Sequence, residues 1–182
     1  MPGRSPHEAV EFFLQSFRDA VGVLEGFSRI VVSQSGGYRK GQLYSWMLNG
    51  PEGMELGDVG VLRAAMWFEV VDADPAKHDK PYRVTTRGYN YWLTMPSGQD
   101  AWRVHWHPTG NSDVSYPHVH PMPSYGHFLT PRLTFETIVQ WCMEMGAPLT
   151  CTREEADNFL ALVEAPHLLH RTWSDRPDEP HD

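Results

Sequence analysis

The hydrophobic period changes twice along this 182-residue chain, and those changes limit its fold more than any bulk property. Near the N-terminus, Val10, Phe13, Leu14, Phe17, Val21 and Leu24 recur at steps of three and four. That spacing puts them on one face of an α-helix. Ser5 can cap such a helix, Pro6 suits its first position, and Glu8 stands where a capping box needs an acid. The stripe predicts a helix from Pro6 to about Gly26 that covers a sheet.

From about 28 to 107 the period becomes two, with turn residues between the runs. The expected strands are Arg29–Ser33, Leu43–Leu48, Leu62–Val71, Tyr82–Thr86, Tyr89–Met95 and Trp102–His107. Ser35-Gly36-Gly37 lacks the phosphate-binding and dinucleotide patterns and reads as a hairpin loop. A stretch rich in Pro, Gly and Ser fills 108–127, after which the helical period returns. Thr134 can cap a helix carrying Phe135, Ile138, Val139, Cys142 and Met143 and ending at Gly146. Thr152 and Glu155 make a second capping box, ahead of Ala156, Phe159, Leu160 and Val163. The expectation is an α+β fold: an antiparallel meander of five or six strands packed by an N-terminal helix and two C-terminal helices. Residues 1–173 form one domain in this reading. The acidic, Pro-containing segment 174–182 reads as a disordered tail.

The last strand pair allows a finer expectation. A two-residue loop at Ser97-Gly98 pairs Leu93 with Trp102, Tyr91 with Val104 and Tyr89 with Trp106. A loop two residues longer keeps the same faces together, whereas an odd loop needs a bulge. One face of this hairpin is then aromatic and faces the core. The other carries Asn90, Trp92, Thr94, Arg103, His105 and His107, and chemistry can sit there.

Five of the ten histidines lie between 105 and 127: His105, His107, His118, His120 and His127. They occur as HWHP, PHVHP and GHF. Two residues separated by one on a strand share a side, about 6–7 Å apart. An HxH pair can therefore offer both imidazoles to one metal ion or one anion. Neutral imidazole suits divalent transition metals, and the expected ligands are His105, His107, His118 and His120. His127, Arg103 and Arg132 join them as candidate ligand-binding residues, the arginines for an anionic group. Asp113, Glu69 or Asp72 can complete a mixed site. Two other readings stay open: a metal-free polar or phosphate pocket, and structural histidines serving the turns at Pro108, Pro117 and Pro121.

Other chemistries lack their residues. A cupin-type site wants an acid shortly after its HxH, and Pro108-Thr109-Gly110-Asn111 has none. A histidine-triad nucleotide hydrolase needs HxHxH, but Met122 follows His118 and His120 at the third position. No GxSxG, HExxH or EF-hand loop occurs. Cys142 falls on the apolar face of its helix and reads as core rather than nucleophile, and Cys151 has no base nearby in sequence.

Charge and cysteine usage narrow the partners. A net charge of −8 argues against extended nucleic acid and anionic lipid. The charge is uneven, at −5 over 51–74 and +3 over 76–107, the stretch that leads into the histidines. Two cysteines make no disulfide framework, no apolar run is long enough to span a membrane, and the first residues lack a signal peptide's apolar region. These features point to a cytoplasmic protein. Seven Trp are also more than a chain of this length can bury fully, which favours an interface.

The stretch 82–141 resembles a set of small bacterial proteins in which a Tyr-rich hairpin leads to HWHP, PHxH and a further His before a helix. The matching residues are Tyr89, Tyr91, His105, Trp106, His107, Pro108, Pro117, His118, His120, His127, Thr130, Pro131 and Arg132. The PTGR-like element of those proteins is altered here, because Leu129-Thr130-Pro131-Arg132 lacks its Gly. The pattern is also distantly similar to the TumE family of toxin–antitoxin proteins. The resemblance implies a compact α+β fold and, through TumE, a toxin–antitoxin role; it implies no reaction. Two functions therefore stand side by side. One is a histidine site for a metal or a phosphate-bearing ligand, with His as acid or base if phosphodiesters react there. The other is an interaction module, a homodimer or one half of a toxin–antitoxin pair.

Overall fold

A computed structural model describes residues 2–34, 36–108, 114–121 and 126–170. It shows the expected α+β architecture with eight strands rather than five or six. Helix α1 (Pro6–Val21) is followed by β1 (Ile30–Val32), β2 (Leu43–Leu48), β3 (Met54–Glu55), β4 (Val61–Asp72), β5 (Tyr82–Thr94) and β6 (Asp100–Trp106). Strands β7 (His118–Pro121) and β8 (Phe128–Leu129) come next, then helices α2 (Phe135–Glu144) and α3 (Arg153–His170). The antiparallel sheet runs β1-β2-β4-β5-β6-β7-β8, and β3 pairs with β4 off this path. The sequence-predicted tail 174–182 lies outside the described residues.

The helix ends follow local chemistry. Ser5 Oγ accepts from Glu8 N at 3.2 Å, while the Glu8 carboxylate accepts from Arg4 N at 2.6 Å. Ser5 thus satisfies one free N–H of the first turn, while Glu8 reaches past the cap to Arg4 rather than to the Ser5 N–H of a full capping box. The helix stops at Val21, five residues before Gly26. Val23 and Leu24 remain buried in the following turn, so the apolar stripe outlasts the helix. Thr152 and Glu155 form the expected reciprocal box at the start of α3.

Helices α1 and α2 cover one face of the sheet. Phe17 meets the ring of Trp46 at 4.7 Å and that of Phe135 at 5.7 Å, and Phe135 reaches Tyr91 at 5.8 Å. Aromatic contacts at these distances bind α1, α2, β2 and β5 into one core. Cys142 lies in it, and burial pushes its thiol up to about 12, so it stays neutral as the sequence implied.

The β5–β6 hairpin has the expected register: Leu93 pairs with Trp102, Tyr91 with Val104 and Tyr89 with Trp106. All six side chains are buried. The loop differs in length. Gly98 N bonds Met95 O and Met95 N bonds Gln99 O, so three residues, Pro96-Ser97-Gly98, make the turn. Gly98 takes a φ of 81°, and a bulge between Leu93 and Thr94 restores the register. An odd loop required such a bulge. Tyr82–Thr86 and Tyr89–Met95 are likewise one strand, because the register shift opposite Trp67 and Phe68 absorbs Arg87 without ending the ladder.

Candidate metal centre

Alternation along β5, β6 and β7 places the candidate residues on the face opposite the helices. Val104 pairs with Val119 on the helix side. The neighbouring pairs, Arg103 with His120 and His105 with His118, therefore point the other way. Asn90 of β5 pairs with His105, extending that row to Asn90, His105 and His118. The β7–β8 register, His118 with Leu129 and Val119 with Phe128, brings His127 across from His120 when continued by one step.

This register gathers the rings. His120 and His127 lie 4.4 Å apart between centroids, His118 and His127 4.9 Å, and His118 and His120 5.0 Å. One ligand nitrogen from each of the three lies within 4.8 Å of the others. Among the described residues, this is the set of potential ligands that converges. Tetrahedral coordination with Zn–N near ~2.1 Å needs nitrogens ~3.4 Å apart. Rotation of the exposed His127 side chain can close that gap.

His118 is the best-prepared ligand. It is 1% exposed, and its Nδ1 lies 2.8 Å from Tyr116 O. A carbonyl only accepts, so Nδ1 carries the proton and donates. The Nε2 lone pair is then left for a ligand, as in histidines that bind metals through one nitrogen and anchor through the other. Burial, followed by His127 and His107, holds the His118 pKa below its ordinary value despite the Tyr116 bond. Burial and then His127 and His118 do the same for His120. For His105, burial is again the largest cause, ahead of His120, His118, His107 and Arg103, and lowers the pKa to about 4. These rings are uncharged at neutral pH, the form in which imidazole is a ligand.

The expected quartet is thus drawn together unevenly. His118 and His120 converge with His127, which the sequence spacing did not single out as a candidate metal ligand. His105 and His107 flank them, with His105 centred 5.6 Å from His118 and 5.2 Å from His120, and His107 5.5 Å from His118. Arg103 is near enough to affect the His105 and His120 protons, but its guanidinium donates to Asp100. Arg132 lies over the Trp106 ring at 4.0 Å, on the helix side of β6, and does not join the histidines. The acids offered for a mixed site are engaged elsewhere: Glu69 accepts from Arg87 at 2.8 Å, and Asp72 from Lys40 at 2.8 Å. Asp113 lies outside the described residues.

No family model, no curated protein and no solved structure matches this chain. No helix among the described residues is long and apolar enough to cross a membrane.

Proposed function

We propose that this chain binds a divalent transition metal through His118, His120 and His127. The observation that carries the reading is the convergence of three ligand nitrogens within 4.8 Å, one of them on a ring whose tautomer Tyr116 sets. Three imidazoles with no carboxylate among them match the preference of Zn²⁺, Ni²⁺, Cu²⁺ or Fe²⁺ over Mg²⁺ or Ca²⁺. Three protein ligands leave a coordination position for water or substrate, where a bound metal acts as a Lewis acid or lowers the pKa of water. The chain's own contribution is to hold His118 through Tyr116 and, by burial, to disfavour the charged forms of His105, His118 and His120. Metal analysis of protein purified without a histidine tag tests the reading. Retention of stoichiometric metal after desalting, and its loss in a His118→Ala/His120→Ala variant that remains folded, is expected. Metal-free protein that takes up none of these ions would contradict it.

The interaction reading draws on a different observation. Tyr116, Phe128 and Leu129 are 48%, 57% and 70% exposed beside the histidines, and β8 ends the sheet. Exposed aromatics at a sheet edge suit a protein contact, including the toxin–antitoxin pairing that the TumE resemblance implies. Sedimentation equilibrium tests the homodimer form: self-association that Phe128→Ser/Leu129→Ser abolishes supports it, and a strict monomer at high concentration removes it.

A further inference from the structure

Two buried polar atoms beside the three histidines have no hydrogen-bond partner among the described residues: Asn90 Oδ1 and His107 Nδ1. Both belong to the face that carries the histidines. Asn90 pairs across the strands with His105, and the same register continued by one step sets His107 across from Gly88. Gly88 is required there. A Cβ on it would lie 2.7 Å from the Trp106 carbonyl oxygen, 3.7 Å from Trp67 Cε3 and 3.8 Å from His107 Cα. The strands therefore approach closely at this point, and Trp67 walls the spot on one side. A buried polar atom left without a partner is destabilising, so two on the same face of neighbouring strands mark a place suited to an occupant.

The nearby cations do not supply that occupant. Arg103 donates to Asp100, and the Arg132 guanidinium lies over Trp106. Asn90 Oδ1 has only lone pairs to offer, and His107 Nδ1 offers one in the Nε2–H tautomer. His105 adds a second imidazole and a third donor, its ring 5.8 Å from that of His107. His118 cannot serve here as well as at the first site, because its Nδ1 is committed to Tyr116 and its Nε2 to the three-histidine set. We infer that Asn90 Oδ1, His105 and His107 Nδ1 form a second metal site beside the first, making the centre binuclear. This deepens the three-histidine reading and rests on it. The N₂O donor set takes the same borderline ions, Zn²⁺, Fe²⁺ or Ni²⁺, but with a harder ligand than the all-imidazole site.

Zinc titration of the chelator-treated full chain, followed calorimetrically and by metal analysis after desalting, separates the outcomes. Two equivalents are expected for the native sequence. One equivalent is expected for Asn90→Leu and for His107→Gln, with the tight first step unchanged. Asn90→Asp supplies a charged oxygen and tightens the second step by about tenfold or more. Circular dichroism on each variant checks that the sheet is intact, and Asn90→Asp keeps the test informative if Asn90→Leu does not fold. A single equivalent in the native chain would overturn the second site and leave the three-histidine site standing. Two equivalents that persist in folded Asn90→Leu and His107→Gln would also overturn it. No zinc at all would overturn both.

Discussion

The two faces of the β5–β6–β7 ribbon are built from alternate residues of the same strands, yet they solve opposite problems. On the helix side Tyr89, Tyr91, Leu93, Trp102, Val104 and Trp106 are closed over by α2 and its neighbours, and their stability comes from removing apolar area from water. On the other side Asn90, His105, His107, His118 and His120 put nitrogen and oxygen atoms into a partly buried surface. Burial there opposes charging and leaves lone pairs without donors. A core does not need such a face, and the fold carries it at a cost in stability. Large truncations should therefore weaken folding on the first face, while on the second they should weaken ligand binding first.

The largest expected effect is on the helix side. Trp46 is fully buried against Phe17 and Phe135, so Trp46→Ala should lose about 3–5 kcal/mol in urea unfolding. A loss below ~1 kcal/mol would mean that this face is not the cohesive one. On the histidine face, His127 is exposed, so His127→Ala should leave the metal-free stability within ~0.5 kcal/mol. The same variant should weaken zinc binding by at least ~100-fold, read by competition with a chelator. Equal affinity in variant and native protein would remove His127 from the centre.

Acid should separate the faces next. The folded-state pKa of His105 is about 4 against an ordinary 6.5, and those of His118 and His120 are also lowered. Between these values the unfolded chain binds more protons than the folded one. The resulting stability is full above about pH 6.5 and falls as pH drops toward about 4. The melting temperature of the metal-free protein, followed across that range, should decline, and His105→Gln should flatten the decline. A melting temperature that rises on acidification would reverse the sign and contradict the burial of these rings. The smallest effect belongs to neither face. Ser5→Ala removes one cap bond of α1 and should cost about 1 kcal/mol in the same unfolding assay, without changing zinc affinity.

How far the sequence disclosed these faces depends on how local each signal is. The hairpin register was legible because strict alternation from Tyr89 to Trp106 allows one face to be buried and a one-residue slip would expose it. The histidine side followed from the same alternation. Strands β7 and β8 were not legible. They are four and two residues long, and β7 reads His-Val-His-Pro, where Val119 alone favours a strand and Pro121 opposes one. They are strands because β6 offers a partner edge, which is a tertiary fact. The convergence of His127 with His118 and His120 was hidden for the same reason, since only the β7–β8 register sets it across from His120. Arg132 lies apart from the histidines for a tertiary reason too. Its place in the chain suggested an anion ligand, but the Trp106 ring holds its guanidinium on the helix side.

The proposed function requires that His118, His120 and His127 meet at one metal ion. X-ray absorption at the zinc edge, on protein loaded with one equivalent, tests it most directly. Three imidazole nitrogens at about 2.0–2.1 Å are expected, and fewer imidazoles in His127→Ala. A first shell of oxygens alone, or zinc that desalting removes, would contradict it.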